Sequence, residues 1–502
     1  MKQPVTAYII VLVVSLFVLE FCSDTEPIEL RYEAEKMMYQ AERSLAEARG
    51  QTRQLSLYQA VELYPSFRNC IDFCYESLEK VDSQTYQTEY QELAGIAHRC
   101  SMQLSGLFYS IGQFDSSVAI VNRLLSDISL DAGQRISANL DLAQSLHAAG
   151  RWDSAVAVYN ATVTRYYPPV TTGGEPIVSL FGVPAHVFRV VSATGDSAAA
   201  ANAFAAAEGY YARLIREFPD SKVSAVAHFT LADLYGGRKL YEKELEQLRA
   251  ISDTSVPGHR DILIRMADVL RLGLHQFDSA LAIYDHLMNT PGAEDSSEVP
   301  EILLRIGLTR MDQNRYADAR NIINNIKKEY PLFFDSLPMP QYTLARSLEM
   351  EGNWERAETE YSLLIEKFRG SDEAMMALLY MVDNLRSKGR LAESEQWFQR
   401  AQVYFDELAS RYPGSPLHAK ALFYKADLYR RNNDHERSVQ VLLSLYDKFP
   451  RSESGRRALM AAAKMYREQL GMPGRADSLL ELAKTSISTG IPPLENPDLL
   501  TD

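Results

Sequence analysis

The chain has 502 residues, of which 46% are hydrophobic and 24% charged, a globular composition that excludes wholesale disorder. Lys and Arg number 52 against 66 Asp and Glu, giving a net charge of −14. Without basic blocks such a chain is a poor general binder of nucleic acid, whose affinity comes largely from cations on phosphate. Four cysteines are too few for a disulfide scaffold.

Met1 and Lys2 precede an apolar run from Val5 to Leu19, after which come Glu20, Phe21, Cys22 and Ser23. A positive start and an apolar core of this length make an export signal. The run is marginal for crossing a bilayer, which takes about 17–25 residues. Cys22 resembles the lipidated cysteine of bacterial lipoproteins, and that resemblance implies a diacylglycerol on its thiol. An ordinary signal cut nearby and an uncleaved anchor helix stay open. All three place the remainder outside the cytoplasm, and the lipid or anchor would hold it on a membrane facing periplasm or exterior.

Residues 23–104 read as divergent helical repeats, 105–485 as a regular array, and 486–502, with Pro492, Pro493 and Pro497, as a loose tail. From Ala426, Tyr429 lies at +3, Asn433 at +7, Ser438 at +12, Leu442 at +16, Leu445 at +19 and Pro450 at +24. Ala345 sets Leu348, Gly352, Ala357, Tyr361 and Leu364 at the same offsets, and Gly307 sets Arg310, Asn314, Ala319, Ile323, Ile326 and Pro331. Ser105, Ala143 and Val382 open further units. A small residue and a large one three places later share a helix face. Gly or Asn at +7 permits the left-handed backbone that stops a helix. A small residue at +12 lets a second helix lie close, the apolar pair at +16 and +19 continues its face, and proline ends the unit.

This pattern resembles the tetratricopeptide repeat family. The resemblance implies an all-α, right-handed superhelical solenoid of about ten to twelve antiparallel helix pairs, each burying its apolar face against neighbours. The spacing is longer than the family's ~34 residues. Gly307 to Ala345 is 38, and Val382 to Ala426 is 44. The added stretch Tyr404-Phe405-Asp406-Glu407-Leu408 should lengthen one helix by about two turns and make the 382–413 pair protrude. Several units end alike: Phe218-Pro219-Asp220-Ser221, Tyr412-Pro413-Gly414-Ser415 and Phe449-Pro450-Arg451-Ser452, with Phe368-Arg369-Gly370-Ser371 as a variant. The aromatic closes one helix, a turn comes next, and serine can cap the helix after it. This ending resembles the repeats of bacterial envelope lipoproteins. Loops are expected at 167–176 and 289–300.

No phosphate-binding glycine loop, zinc-protease histidine pair or nucleophile elbow is present. The chain therefore reads as non-enzymatic, with no cofactor or metal called for. Cys70, Cys74, His98 and Cys100 admit a metal site, a disulfide to Cys100, or plain core packing. Asp268 and Arg271, Asp383 and Arg386, and Asp427 and Arg430 recur at +1 and +4, and Asp233 matches the first half with Gly236 in place of arginine. In the resembled family these offsets face the concave groove where peptides bind, so the six residues could grip a partner. The plainer reading is a set of i,i+3 ion pairs worth about 0.2–0.5 kcal/mol each. Tyr361, Phe398 and Tyr429 read as core. The function implied is an envelope-anchored scaffold for protein–protein interaction. Alternatives are a glycan- or nutrient-binding helical lipoprotein, against which the three tryptophans speak, and a regulator of cell-wall enzymes.

Overall fold

The computed structural model describes residues 5–51, 57–193, 196–252, 259–290, 298–450 and 452–485, with side-chain surroundings from residue 26 onward. Among these residues the fold is all-α; the only β feature is an isolated bridge between Val170 and Pro176, inside the expected loop at 167–176. Cys22 and the tail lie outside the described side chains. Among the described residues no helix is long and apolar enough to cross a membrane.

Contacts divide the chain into two compact units, residues 1–169 with 186–200, and residues 170–185 with 201–502. The boundary expected at residue 104 falls inside a helix, because the origin Ser105 lies well into the first helix of its pair. The first unit contains α1 (Val5–Gln51), α2 (Leu57–Lys80), α3 (Gln87–Ser110), α4 (Phe114–Asp127), α5 (Ala132–Ala148) and α6 (Trp152–Arg165). Each packs on the next. After α7 (Val178–Phe181) come α8 (Val183–Ala193) and α9 (Ser197–Glu217).

The second unit continues with α10 (Lys222–Gly236), α11 (Tyr241–Ser252), α12 (His259–Asp268), α13 (Phe277–Met288), α14 (Val299–Asp312), α15 (Tyr316–Glu329) and the short α16 (Pro331–Ser336). It ends with α17 (Pro338–Met350), α18 (Trp354–Lys367), α19 (Asp372–Ser387), α20 (Leu391–Arg411), α21 (Pro416–Arg431), α22 (His435–Lys448), α23 (Glu453–Glu468) and α24 (Pro473–Thr485). First helices of successive pairs also touch: α14 with α17, α17 with α19, and α19 with α21.

The repeat offsets acquire their physical roles. Gly112, Gly150, Asn314, Gly352, Gly389 and Asn433, all at +7, have φ between 58° and 83°. The amide after each reaches back five residues, as in Arg315 N to Arg310 O at 2.8 Å and Asn353 N to Leu348 O at 2.9 Å, capping the first helix. Ala155, Ala319, Ala357 and Ser438 at +12 are fully buried, where the two helices of a pair meet. Tyr361, Phe398 and Tyr429 are core residues. Ser221, Ser371, Ser415 and Ser452 each accept a hydrogen bond from the backbone amide three residues on, and so cap α10, α19, α21 and α23.

Two departures stand out. The 382–413 pair does not protrude at its added turns: Tyr404, Phe405 and Leu408 are buried, and Phe405 stacks on Tyr424 of α21 at 6.1 Å. Tyr404 also accepts a 2.8 Å hydrogen bond from the Gly370 amide. The lengthened helix keeps its apolar face in phase, so the extra turns find neighbours instead of solvent. Secondly, α12 runs into a π-helical turn, Val269–Gly273. The closing bond there, Gln276 N to Leu270 O at 2.8 Å, spans six residues instead of five. One residue has been inserted and absorbed as a π-bulge. The left-handed position moves to His275 at φ 52°, eight places after Ala267.

Candidate functional site

The face built by the first helices of the second unit carries the Asp and Arg residues singled out by their spacing. Since these helices touch, a side chain at +1 or +4 can meet the next pair, and most of them do. Asp268 accepts from Arg305 Nε of α14 at 3.2 Å and from the Tyr284 hydroxyl at 2.9 Å. Arg271 sits in the π turn, is nine-tenths buried, and donates from Nη1 to Asp312 of α14 at 2.9 Å. Asp383 accepts from Arg431 Nη1 of α21 at 2.7 Å. Arg386 donates to the Arg431 carbonyl at 2.8 Å and to Asn432 Oδ1 at 2.5 Å. Only at Asp427 is the i,i+3 pair close: Arg430 lies at 2.6 Å, with Arg431 Nε beside it at 2.7 Å. Asp383 and Arg386 stand 3.8 Å apart.

Asp268, Arg271, Asp383 and Arg386 therefore tie consecutive pairs together, while Asp427 and Arg430 pair within α21. Burial disfavours charge on Arg265, Arg305 and Arg431, yet the carboxylates around each raise its pKa overall. Burial and then the Asp268 carboxylate push the Tyr284 hydroxyl up, which keeps it a donor. These groups hold one another in place and leave partly exposed guanidinium edges, such as that of Arg386, for contact with a partner.

Gly236, the gap in the pattern, has a reason. A Cβ there would lie 2.7 Å from Glu244 Oε2. The missing side chain leaves room for the buried Glu244 carboxylate, which takes Arg265 Nη2 at 2.6 Å while the same guanidinium also bonds Asp233. Arg265 and Arg305 were not singled out from sequence, although both stand two places before a repeat origin, a signal as regular as +1 and +4.

In the Ala345 unit the polarity is inverted, with Arg346 at +1 and Glu349 at +4. Glu349 is buried at 8% exposure and accepts from Arg346 Nη1 and the Tyr361 hydroxyl, both at 2.8 Å, and also from Tyr380 and Asn384. Burial first, then the Glu349 carboxylate, raises the Tyr361 pKa. Four donors therefore converge on one buried carboxylate and satisfy its hydrogen-bonding capacity. Beside this cluster, between α14 and α17, lies a cleft of about 360 Å³ lined by Leu308, Met311, Tyr316, Tyr342, Arg346 and Met350 among others. Thioether and aromatic side chains share its walls with the polar Asp312, Asn314 and Thr343 and with one guanidinium fixed by Glu349. Met350 is half-exposed at its mouth.

Cys70, Cys74 and Cys100 are buried thiols. Among the described residues no group of His, Cys, Asp and Glu could hold a metal ion.

Tetratricopeptide repeat profiles match residues 342–403 and 398–453, and a second profile of the same description matches 301–332. No curated protein matches the sequence. Similar solved structures include a tetratricopeptide repeat protein from Parabacteroides merdae, 15% identical, covering 60% of this chain and 98% of that one with a TM-score of 0.32. Yeast Tom70 is 13% identical over 90% of this chain and 91% of its own, TM-score 0.37. The apo quorum sensor NprR from B. thuringiensis is 11% identical over 70% and 99%, TM-score 0.33. The segment containing the cleft and the inverted Arg346–Glu349 unit thus carries tetratricopeptide repeats.

Proposed function

We propose that this protein is a non-enzymatic scaffold, anchored in the cell envelope through its N-terminal segment, that captures a protein or peptide on the first-helix face of its second unit. Tetratricopeptide repeats generally bind protein partners, which supports the interaction role. The observation that carries the choice of face is the cleft between α14 and α17, which lies in the matched repeats and sets methionine, leucine and tyrosine side chains beside a fixed arginine. Such a cleft suits an apolar side chain on a segment that also presents a carboxylate or carbonyl to Arg346. The export signal and the resemblance of Cys22 to a lipidated cysteine support the envelope location. The test is crosslinking with pull-down from membranes, using the wild type and Met350→Glu. Met350 is half-exposed, so the fold should survive, while a carboxylate at the mouth should remove the captured partner. Undiminished capture by the variant would reject this face. Recovery of glycan without protein would reject the scaffold reading.

A further inference from the structure

Three cysteines meet in the first unit. Cys70 and Cys74 stand one turn apart on α2, Cys100 is on α3, and all three are fully buried. The Cys100 thiol is directed at Cys70, with 3.2 Å between the sulfurs. The Cys70 thiol in turn faces the Ala34 carbonyl of α1 at 3.7 Å. Three helices thus converge on one sulfur. A disulfide bond is about 2.05 Å long, so roughly 1 Å of side-chain rotation would join Cys70 to Cys100.

The geometry points to Cys70 and Cys100 as an oxidative crosslinking site that fastens α2 to α3, with Cys74 left as a thiol. The chemistry of the cluster agrees with the assignment. Facing the thiols of Cys100 and then Cys74 holds the Cys70 pKa down, to about 4. In the folded chain the contact with Cys70, and then burial, pushes its two neighbours up. The co-reactant is an external disulfide, as in thiol–disulfide exchange. Cys70 thiolate attacks one of its sulfurs, forming a mixed disulfide and releasing the first thiolate. Cys100, deprotonated, then attacks Cys70 Sγ, displacing the second. In total two protein thiols and one external disulfide become one protein disulfide and two external thiols, with both electrons passing to the external sulfurs. Since the sulfurs are buried in the folded chain, the exchange belongs to folding, before α1 closes over Cys70. The bond encloses residues 70–100 and removes freedom from the unfolded chain.

The site needs only the cysteines, so its test does not depend on where the protein resides. The full chain is refolded in a buffer of reduced and oxidised glutathione, alkylated without reduction and digested with trypsin. Cleavage after Arg68, Lys80, Arg99 and Arg123 yields one peptide with Cys70 and Cys74, residues 69–80, and one with Cys100, residues 100–123. The expected product is these two peptides joined, lighter by two hydrogens than their sum, with one alkyl group on Cys74 located by fragmentation between residues 70 and 74. Cys74→Ser should keep the linked product and Cys100→Ser should lose it. The linked wild type should melt several degrees above its reduced form. Alkylation of all three cysteines in the refolded wild type would overturn the site. A link through Cys74 with Cys70 alkylated would overturn the assignment of the pair.

Discussion

Ser438 Oγ donates a 2.7 Å hydrogen bond to the carbonyl of Ala426, twelve residues earlier, inside the repeat that both help to define. Ser394 does the same to Val382 at 2.8 Å. In each case the small residue at +12 joins the second helix of a pair to the backbone of the first. Such a carbonyl already serves its own helix, and its second lone pair is taken by the neighbour. Smallness at this offset is thus both steric and chemical. Ser438→Ala should keep the close approach and cost about 1 kcal/mol in urea unfolding. Ser438→Leu should cost more, since the site is fully buried where two helices meet. If the leucine variant were the more stable of the two, the helix contact would not be where the structure puts it.

At the same offset, Ala357 is fully buried between α17 and α18. Ala357→Leu should overpack that pair and destabilise by about 1–3 kcal/mol. The exposed Glu355 two residues earlier makes a control, and Glu355→Gln should change stability by less than about 0.5 kcal/mol. Equal urea midpoints for the two would be incompatible with this register.

Glu349 gathers four donors in the core of its unit. Glu349→Ala strands a guanidinium, two phenols and an amide at once. The expected loss is about 3–5 kcal/mol, the range for breaking a buried pair by removing one partner. Arg386→Ala, at a partly exposed side chain, should lose on the order of 1 kcal/mol or less. Chemical denaturation of both variants decides whether the network is structural as described.

Acid should loosen the first unit through His186. Burial, then Arg189 and His147, holds its pKa down to about 4. Its ring lies 5.2 Å from that of Tyr159 and 6.1 Å from that of His147. An unfolded histidine titrates near 6.5. Between the two values the unfolded chain binds a proton that the folded chain refuses. Stability from this group is therefore complete above about pH 6.5 and declines as pH falls toward 4, by on the order of 1–2 kcal/mol after allowing for its partial exposure. Carboxylates titrate in the same window, so the informative quantity is the difference between wild type and His186→Gln. The variant should show the shallower pH slope in urea unfolding.

If the envelope reading holds, Cys22→Ala should release the protein from the membrane fraction and abolish labelling by a fatty-acid analogue. A wild type that takes up no label would exclude lipidation and leave an anchor helix or soluble export.

Much of the pairwise architecture was legible because its causes are local. A left-handed turn needs Gly or Asn, a cap needs a hydroxyl three residues before an amide, and a close helix crossing needs a small residue. Each leaves a residue type at a fixed offset. The functional face was less legible. Its Asp and Arg positions were visible, but several of their partners lie 32–48 residues away in sequence, as Asp233 with Arg265 and Asp383 with Arg431 show. The Arg346–Glu349 unit places base before acid and so breaks the spacing pattern. The cleft beside it, formed by residues as distant as Leu308 and Met350, has no sequence pattern of its own.

By itself the sequence determined the helix pairs, their stops, their caps and the small-residue contacts, since these depend on backbone freedom and side-chain size within one unit. Only the tertiary structure decided what the polar residues do. The π turn at Val269–Gly273 inserts one residue and contains Arg271, which is buried against Asp312. Arg386 and Arg430, at the same offset in uninterrupted helices, keep partly exposed side chains. Equal spacing along the chain gives equal environments only while the helical phase is kept, and that phase is settled by how each pair packs on the next.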